Sequence, residues 1–205
     1  MSSSTRPRLT PRGAVTRERI VAGAAALIYE RGVASTSLDD IMAATGTSKS
    51  QLYHYFADKD ALVLEVIRRQ LDQTIAWQEH ELRELRTWDG LRRWRDHLVE
   101  GTRATTGVGG CRLGSLASEL ADRSESARKA LVLSFTEWQG YLVDGFTAMR
   151  EHGLLSPDAD PAELALTFMT ALQGGLLLAQ TTRDARPLEL ALDMAIAHAG
   201  RYRTR

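Results

Sequence analysis

The sequence predicts an all-α chain, an N-terminal three-helix head carrying a helix-turn-helix and then a C-terminal bundle of about six helices, about nine in total. Three observations carry this. Apolar residues recur at helical spacing through most of the chain, and Ser, Thr and Asp caps alternate with Gly and Pro breaks. Period-two alternation bounded by turn residues is absent, and β-branched residues are scattered, so no strand is predicted.

Composition sets the frame. Of 205 residues, 43% are hydrophobic and 25% charged, which is ordinary globular usage and excludes a disordered or collagen-like chain. The 26 Lys and Arg balance the 26 Asp and Glu, so any nucleic-acid surface has to be local. A single cysteine, Cys111, rules out an internal disulfide. It reads as a small buried hydrophobe rather than a redox sensor. The N-terminus lacks an apolar signal region, and no uninterrupted apolar run, neither Leu176 to Ala179 nor Ala24 to Tyr29, approaches the roughly 20 residues of a membrane span, so a cytoplasmic chain without a membrane partner is expected.

The elements follow in order. Residues 1–15 are polar and broken by Pro7, Pro11 and Gly13, which predicts a flexible arm. Arg6, Arg8, Arg12, Arg17 and Arg19 against Glu18 make this end basic, suited to a minor-groove contact. From Thr16, the residues Ile20, Ala24, Leu27 and Ile28 form one apolar face, and Gly32 ends the helix. Ser37 with Asp40 forms a capping box for a second helix whose Ile41 and Ala44 face the core. Thr45-Gly46-Thr47 is the turn, Ser48 caps a third helix, and Leu52 and Phe56 share its inner side.

Asp58 caps a long fourth helix through Leu62, Val66, Ile67, Leu71 and Ile75 towards Leu85, broken at Trp88-Asp89-Gly90. Further helices are predicted near Leu91 to Arg103, Leu113 to Ala121 and Ser124 to Glu151. Asp160-Pro161-Ala162-Glu163 starts another, with Pro at its first position and Glu at its third, reaching about Gln180. Pro187 opens the last, which ends near Tyr202. The predicted division is an arm over 1–15, a helix-turn-helix head over 16–60, and a larger helical domain over 61–205.

Catalytic signatures are missing. No G-x-S-x-G elbow or phosphate loop occurs, and Gly107-Val108-Gly109-Gly110 follows no predicted strand. The histidines, His54, His80, His97, His152 and His198, show no metal-ligand spacing. No enzyme, cofactor or metal site is predicted.

A short helix, a glycine turn and a second short helix can present one helix to the major groove. The stretch from Leu38 to Phe56, ending Thr47-Ser48-Lys49-Ser50-Gln51-Leu52-Tyr53-His54-Tyr55-Phe56, resembles the helix-turn-helix of TetR family transcriptional regulators. Ala57-Asp58-Lys59-Asp60-Ala61-Leu62 and the preceding Tyr29-Glu30-Arg31-Gly32-Val33 and Thr36-Ser37 match the same pattern over roughly residues 16 to 67. Gly110-Cys111-Arg112-Leu113-Gly114-Ser115-Leu116-Ala117 is similar to a stretch found in one branch of that family.

The chemistry agrees. Ser48, Lys49, Ser50 and Gln51 are small or long polar residues at the tip of a reading helix, with Lys49 suited to guanine and Gln51 to an adenine edge. The resemblance implies phosphate contacts from Tyr53, His54 and Tyr55, with Ser37, Thr47 and Lys59 as further backbone anchors. It also implies a ligand-responsive regulator, most often a repressor, that binds palindromic double-stranded operator DNA as a homodimer and releases it on binding a small-molecule effector. Trp77, Trp94, His97, Cys111, Leu116, Phe135, Trp138 and Tyr141 are expected to line the effector pocket. Ala171, Gly174, Gly175 and Leu178, with Leu188, Leu192 and Ala195, are expected at the dimer interface. A helical ligand-binding protein without DNA contact is the second reading.

Overall fold

The computed structural model describes residues 10–204. Among these it contains α1 (Pro11–Arg31), α2 (Leu38–Thr45), α3 (Lys49–Tyr55), α4 (Lys59–Arg83), α5 (Trp88–Ala104), α6 (Arg112–Leu120), α7 (Glu125–Glu151), α8 (Pro161–Thr182) and α9 (Arg186–Ala199), closed by a 3-10 turn at Gly200–Tyr202. No strand occurs among the described residues; the one β-bridge joins Leu155 to Arg203. The expected all-α architecture is present, in two compact units that meet within α4, the first ending at Arg69 and the second beginning at Gln70.

Two boundaries differ from expectation. α1 begins at Pro11 because the Thr10 hydroxyl accepts from the Gly13 N–H and Pro supplies a preset φ at the first helical position. Arg12 and Val15, expected in a flexible arm, are therefore helical; Arg6 and Arg8 lie outside the described residues. Trp88-Asp89-Gly90, expected as a break, is the first turn of α5, with Thr87 accepting from the Gly90 N–H at 3.0 Å.

The first unit packs α1, α2, α3 and the start of α4 around Ile20, Ala24, Ile28, Ile41, Leu52 and Leu62, all nearly inaccessible. Burying each of the larger aliphatic chains contributes roughly 1.5 to 3 kcal/mol. Thr45 takes the inward place expected for Ala44, which is exposed. Its hydroxyl donates to the Ile41 carbonyl at 2.7 Å, so burial leaves no polar group unpaired. Arg17 pairs with Glu65 at 2.6 Å and Arg69 pairs with Glu18, tying α1 to the beginning of α4.

In the second unit α8 packs against both α7 and α9. Phe168 of α8 meets Phe146 of α7 and Trp94 of α5 at ring separations of 5.2 and 6.3 Å. At the surface Arg95 of α5 joins Asp193 and Glu189 of α9. The α5–α6 connection presses its backbone onto the end of α8. Gly107, at φ +71°, faces the Ala179 carbonyl too closely for a Cβ, and Gly110, at φ +53°, lies against the movable end of the Gln180 side chain. α8 is long and apolar enough to cross a membrane by length and composition, but one face is buried by its neighbours in the bundle.

Candidate DNA-binding surface

The site is built from two consecutive helix starts with the same cap. At α2 the Asp40 N–H donates to Ser37 Oγ at 3.1 Å and the Ser37 N–H donates to Asp40 Oδ2 at 2.8 Å. At α3 the Gln51 N–H donates to Ser48 Oγ at 3.2 Å and the Ser48 N–H donates to Gln51 Oε1 at 3.1 Å. Each box satisfies backbone donors that a helix start otherwise leaves open. The Ser37 hydrogen bonds hold the Asp40 carboxyl below its ordinary pKa. Between the helices Gly46 adopts the left-handed conformation and its N–H donates to the Met42 carbonyl, reversing the chain tightly.

Leu52 anchors α3 inward while Ser48, Lys49, Ser50, Gln51, Tyr53 and His54 remain exposed. The two turns of this helix thus display an ammonium, an amide, hydroxyls, a phenol and an imidazole, the groups that meet base edges and phosphates. Tyr55 is half-buried, edge-on to His54 at 4.9 Å and tilted against Phe56, whose face carries the Arg17 guanidinium at 5.4 Å.

Two expected backbone anchors do other work. Thr47 is buried, and with the Thr45 proton committed to Ile41 its hydroxyl donates to Thr45 Oγ1 at 2.9 Å inside the turn. Lys59 donates from Nζ to the Val33 carbonyl at 2.5 Å, clamping the α1–α2 connection to the start of α4. Nothing in the residue pattern marks this contact, because Val33 and Lys59 are distant in sequence.

The expected effector-pocket residues do not all come together. Trp77 is 50% exposed, lies against Gly101 and is tilted against His97 at 4.3 Å; His97 in turn places Nδ1 3.6 Å from Glu81. Trp94 is fully buried, its indole N–H donating to Gln78 Oε1 at 2.9 Å. Leu116 and Trp138 are buried and Phe135 and Tyr141 half-buried; the Trp138 indole N–H has no partner among the described residues. Cys111 caps α6, its Sγ accepting from the Gly114 N–H at 3.3 Å, and burial pushes the thiol pKa up. A surface cleft of about 440 Å³ near Val143, Thr147, Arg150 and Asp160 involves none of these residues.

The expected dimer residues separate into two sets. Gly175, Leu188, Leu192 and Ala195 are buried within the chain, and a Cβ on Gly175 would stand 2.8 Å from the Leu188 Cα. That stripe is the α8–α9 contact of one chain, a correction to the expected interface. Ala171 is half-buried, and Gly174 and Leu178 are exposed. Sequence reading did not include Leu166 and Leu177 of α8 or Leu190 and Met194 of α9, which are also exposed.

Comparison with known proteins agrees with this geometry. The model for bacterial regulatory proteins of the tetR family matches residues 20–66. The model for the C-terminal domain of LmrA/YxaF-like transcriptional regulators matches residues 87–194. An HTH-type transcriptional regulator in the lacX 3' region of Lactococcus lactis is 32% identical, over 87% of this chain and 90% of that protein. The HTH-type transcriptional repressor NemR of Escherichia coli K12 is 25% identical, over 86% and 90%. The crystal structure of a TetR transcriptional regulator from Chloroflexus aurantiacus superposes with a TM-score of 0.77 at 28% identity, over 95% and 98%. Helix-turn-helix, helical bundle and relatives lead to one assignment: the chain belongs to the TetR family of bacterial transcriptional regulators.

Proposed function

We propose that the chain is a cytoplasmic, homodimeric repressor that holds a palindromic double-stranded operator and releases it when a small-molecule effector binds the second unit. The observation that carries this reading is the exposed tip of α3, where Lys49, Ser50, Gln51, Tyr53 and His54 stand clear of a helix fixed by its capping box and by buried Leu52. Lys49 and Gln51 read base edges; Ser37, Ser48, Ser50, Tyr53, His54 and Tyr55 hold phosphates and set register. Thr47 and Lys59 position the reading helix from behind. The relatives named as repressors support repression over activation.

Two heads are needed because one reads half of a two-fold site, and the pair must span about 34 Å or a multiple of it. Leu166, Gly174, Leu177 and Leu178 of α8 with Leu190 and Met194 of α9 form the surface for the second copy, since they leave an apolar strip on two adjoining helices. The effector site is proposed around Trp138, Phe135, Tyr141, Leu116 and Cys111, where half-buried aromatic groups accompany an unpartnered indole N–H. An effector releases DNA only by preferring the state that misfits the operator. Catalysis, a cofactor and a metal have no part in this reading.

The test is selection of binding sites from a random duplex pool, followed by fluorescence anisotropy at two salt concentrations. A two-fold symmetric site, bound about a thousandfold tighter than scrambled DNA with steep salt dependence, is the expected result. Equal, weak binding to every duplex overturns it.

A further inference from the structure

The two capping boxes of the helix-turn-helix are equivalent in geometry but differ in the residue that closes them. At α2 it is Asp40, a pure acceptor; at α3 it is Gln51. The chemistry of the box leaves no choice of orientation for the Gln51 amide. Ser48 offers a backbone N–H, at 3.1 Å, and its hydroxyl at 3.3 Å, and only a carbonyl oxygen can accept both. Oε1 is therefore occupied by the helix's own start. The Nε2 amino group has no acceptor among the described residues and belongs to an exposed side chain on the tip of α3.

Glutamine normally matches adenine with both ends of its amide, accepting from N6–H₂ and donating to N7. That pairing requires Oε1 to leave Ser48 and open the box. Guanine presents two acceptors, O6 and N7, and asks only for donors. Resting on the DNA-binding reading above, we propose that Gln51 is a donor-only specificity residue that selects guanine, in place of the adenine its residue type suggests. Glutamine also explains why α3 does not repeat the aspartate of α2. Asp40 closes its box with a charge, whereas a carboxylate at residue 51 would close the α3 box equally well but set a negative charge against the DNA and carry no donor.

The test selects sites from a random duplex pool with the full-length protein and with Gln51→Ala and Gln51→Glu, each first shown to be folded by circular dichroism and thermal melting. Gln51→Glu preserves the box acceptor, removes the donor and adds a negative charge that weakens binding to every duplex alike, so the loss of preference at one position, and not the overall affinity, separates reading from helix capping. The expected result is one symmetric pair of guanine positions whose preference disappears in Gln51→Ala and Gln51→Glu while all other positions keep theirs. On the selected site Gln51→Ala loses about tenfold affinity, and 7-deazaguanine at that position costs the wild type a comparable factor. Adenine at the Gln51-dependent position, or preferences unchanged in both variants, overturns the inference while leaving the regulator assignment intact. Failure of the wild-type protein to enrich any sequence removes the DNA-binding reading itself, and this inference with it.

Discussion

Gly175 of α8 lies so close to Leu188 of α9 that a Cβ on residue 175 would stand 2.8 Å from the Leu188 Cα and 3.0 Å from its Cδ1. The obstruction is backbone, which cannot step aside as a flexible side chain does. Gly175→Arg is therefore expected to disrupt the second unit rather than yield a folded monomer. Leu178→Glu, on an exposed position, should leave the fold intact and dissociate the dimer. Sedimentation velocity with circular dichroism separates these outcomes; a folded, dimeric Leu178→Glu removes the strip from the proposed interface.

Gly23 of α1 makes a similar approach to the Thr45 methyl of α2. Alanine gains up to about 1 kcal/mol of helix propensity. Overpacking a buried contact costs about 1 to 3 kcal/mol, so the clash wins and Gly23→Ala should destabilise the head. Thr45→Ser keeps the hydroxyl bond to Ile41 but removes the methyl, so the double variant should regain most of the loss in urea denaturation. No recovery would mean that the methyl is not the obstacle.

Lys59 spends its ammonium on the Val33 carbonyl. Lys59→Met should lose about 1 to 3 kcal/mol of head stability, because the carbonyl loses a charged donor. The slope of log affinity against log salt should stay unchanged, since the charge serves the fold. A slope reduced by about one unit would instead mark a phosphate contact.

Lys49→Ala and Tyr53→Phe probe two kinds of DNA contact. Lys49→Ala should cost about 1 to 3 kcal/mol on the selected site and relax base preference. Tyr53→Phe should weaken binding about equally on all duplexes. Anisotropy titrations on selected and scrambled DNA distinguish them, and unchanged affinity in both variants defeats this use of α3.

Burial raises the Cys111 thiol pKa in the folded state. Because the folded value exceeds the unfolded one, about 8.5, the contribution to stability is whole below that pH and is lost as pH rises through the folded pKa. Stability measured from pH 7 to 10 should fall on the alkaline side, and Cys111→Ala should flatten that fall. Iodoacetamide should modify the native thiol far more slowly than the denatured one at pH 7.5.

The helices and their order were legible because caps and periodicity are local properties. Ser37 with Asp40, Asp160 with Pro161, and the inward pair Leu52 and Phe56 follow from spacing alone. Gly90 misled because glycine reads as a breaker, whereas here the backbone carbonyl of Glu84 leaves no room for a Cβ in the first turn of α5. The stripe Leu188, Leu192 and Ala195 was legible as apolar, but periodicity does not say whether α8 of the same chain or a second copy covers it. Gln51 was visible as an exposed amide; that one end of it is already spent required the geometry of Ser48.

The glycine loop pressed onto the end of α8 inverts a common pattern of substitution. Surface connections ordinarily accept exchanges and insertions more readily than helices do. Gly107 meets the Ala179 carbonyl with no space for a methyl group and Gly110 holds a left-handed φ, while Leu133 and Val132 on α7 face solvent. A library covering every position should therefore return empty columns at Gly107 and Gly110 and full ones along the outer face of α7. Divergence among descendants of this gene would gather on the rods of the bundle and spare these two glycines.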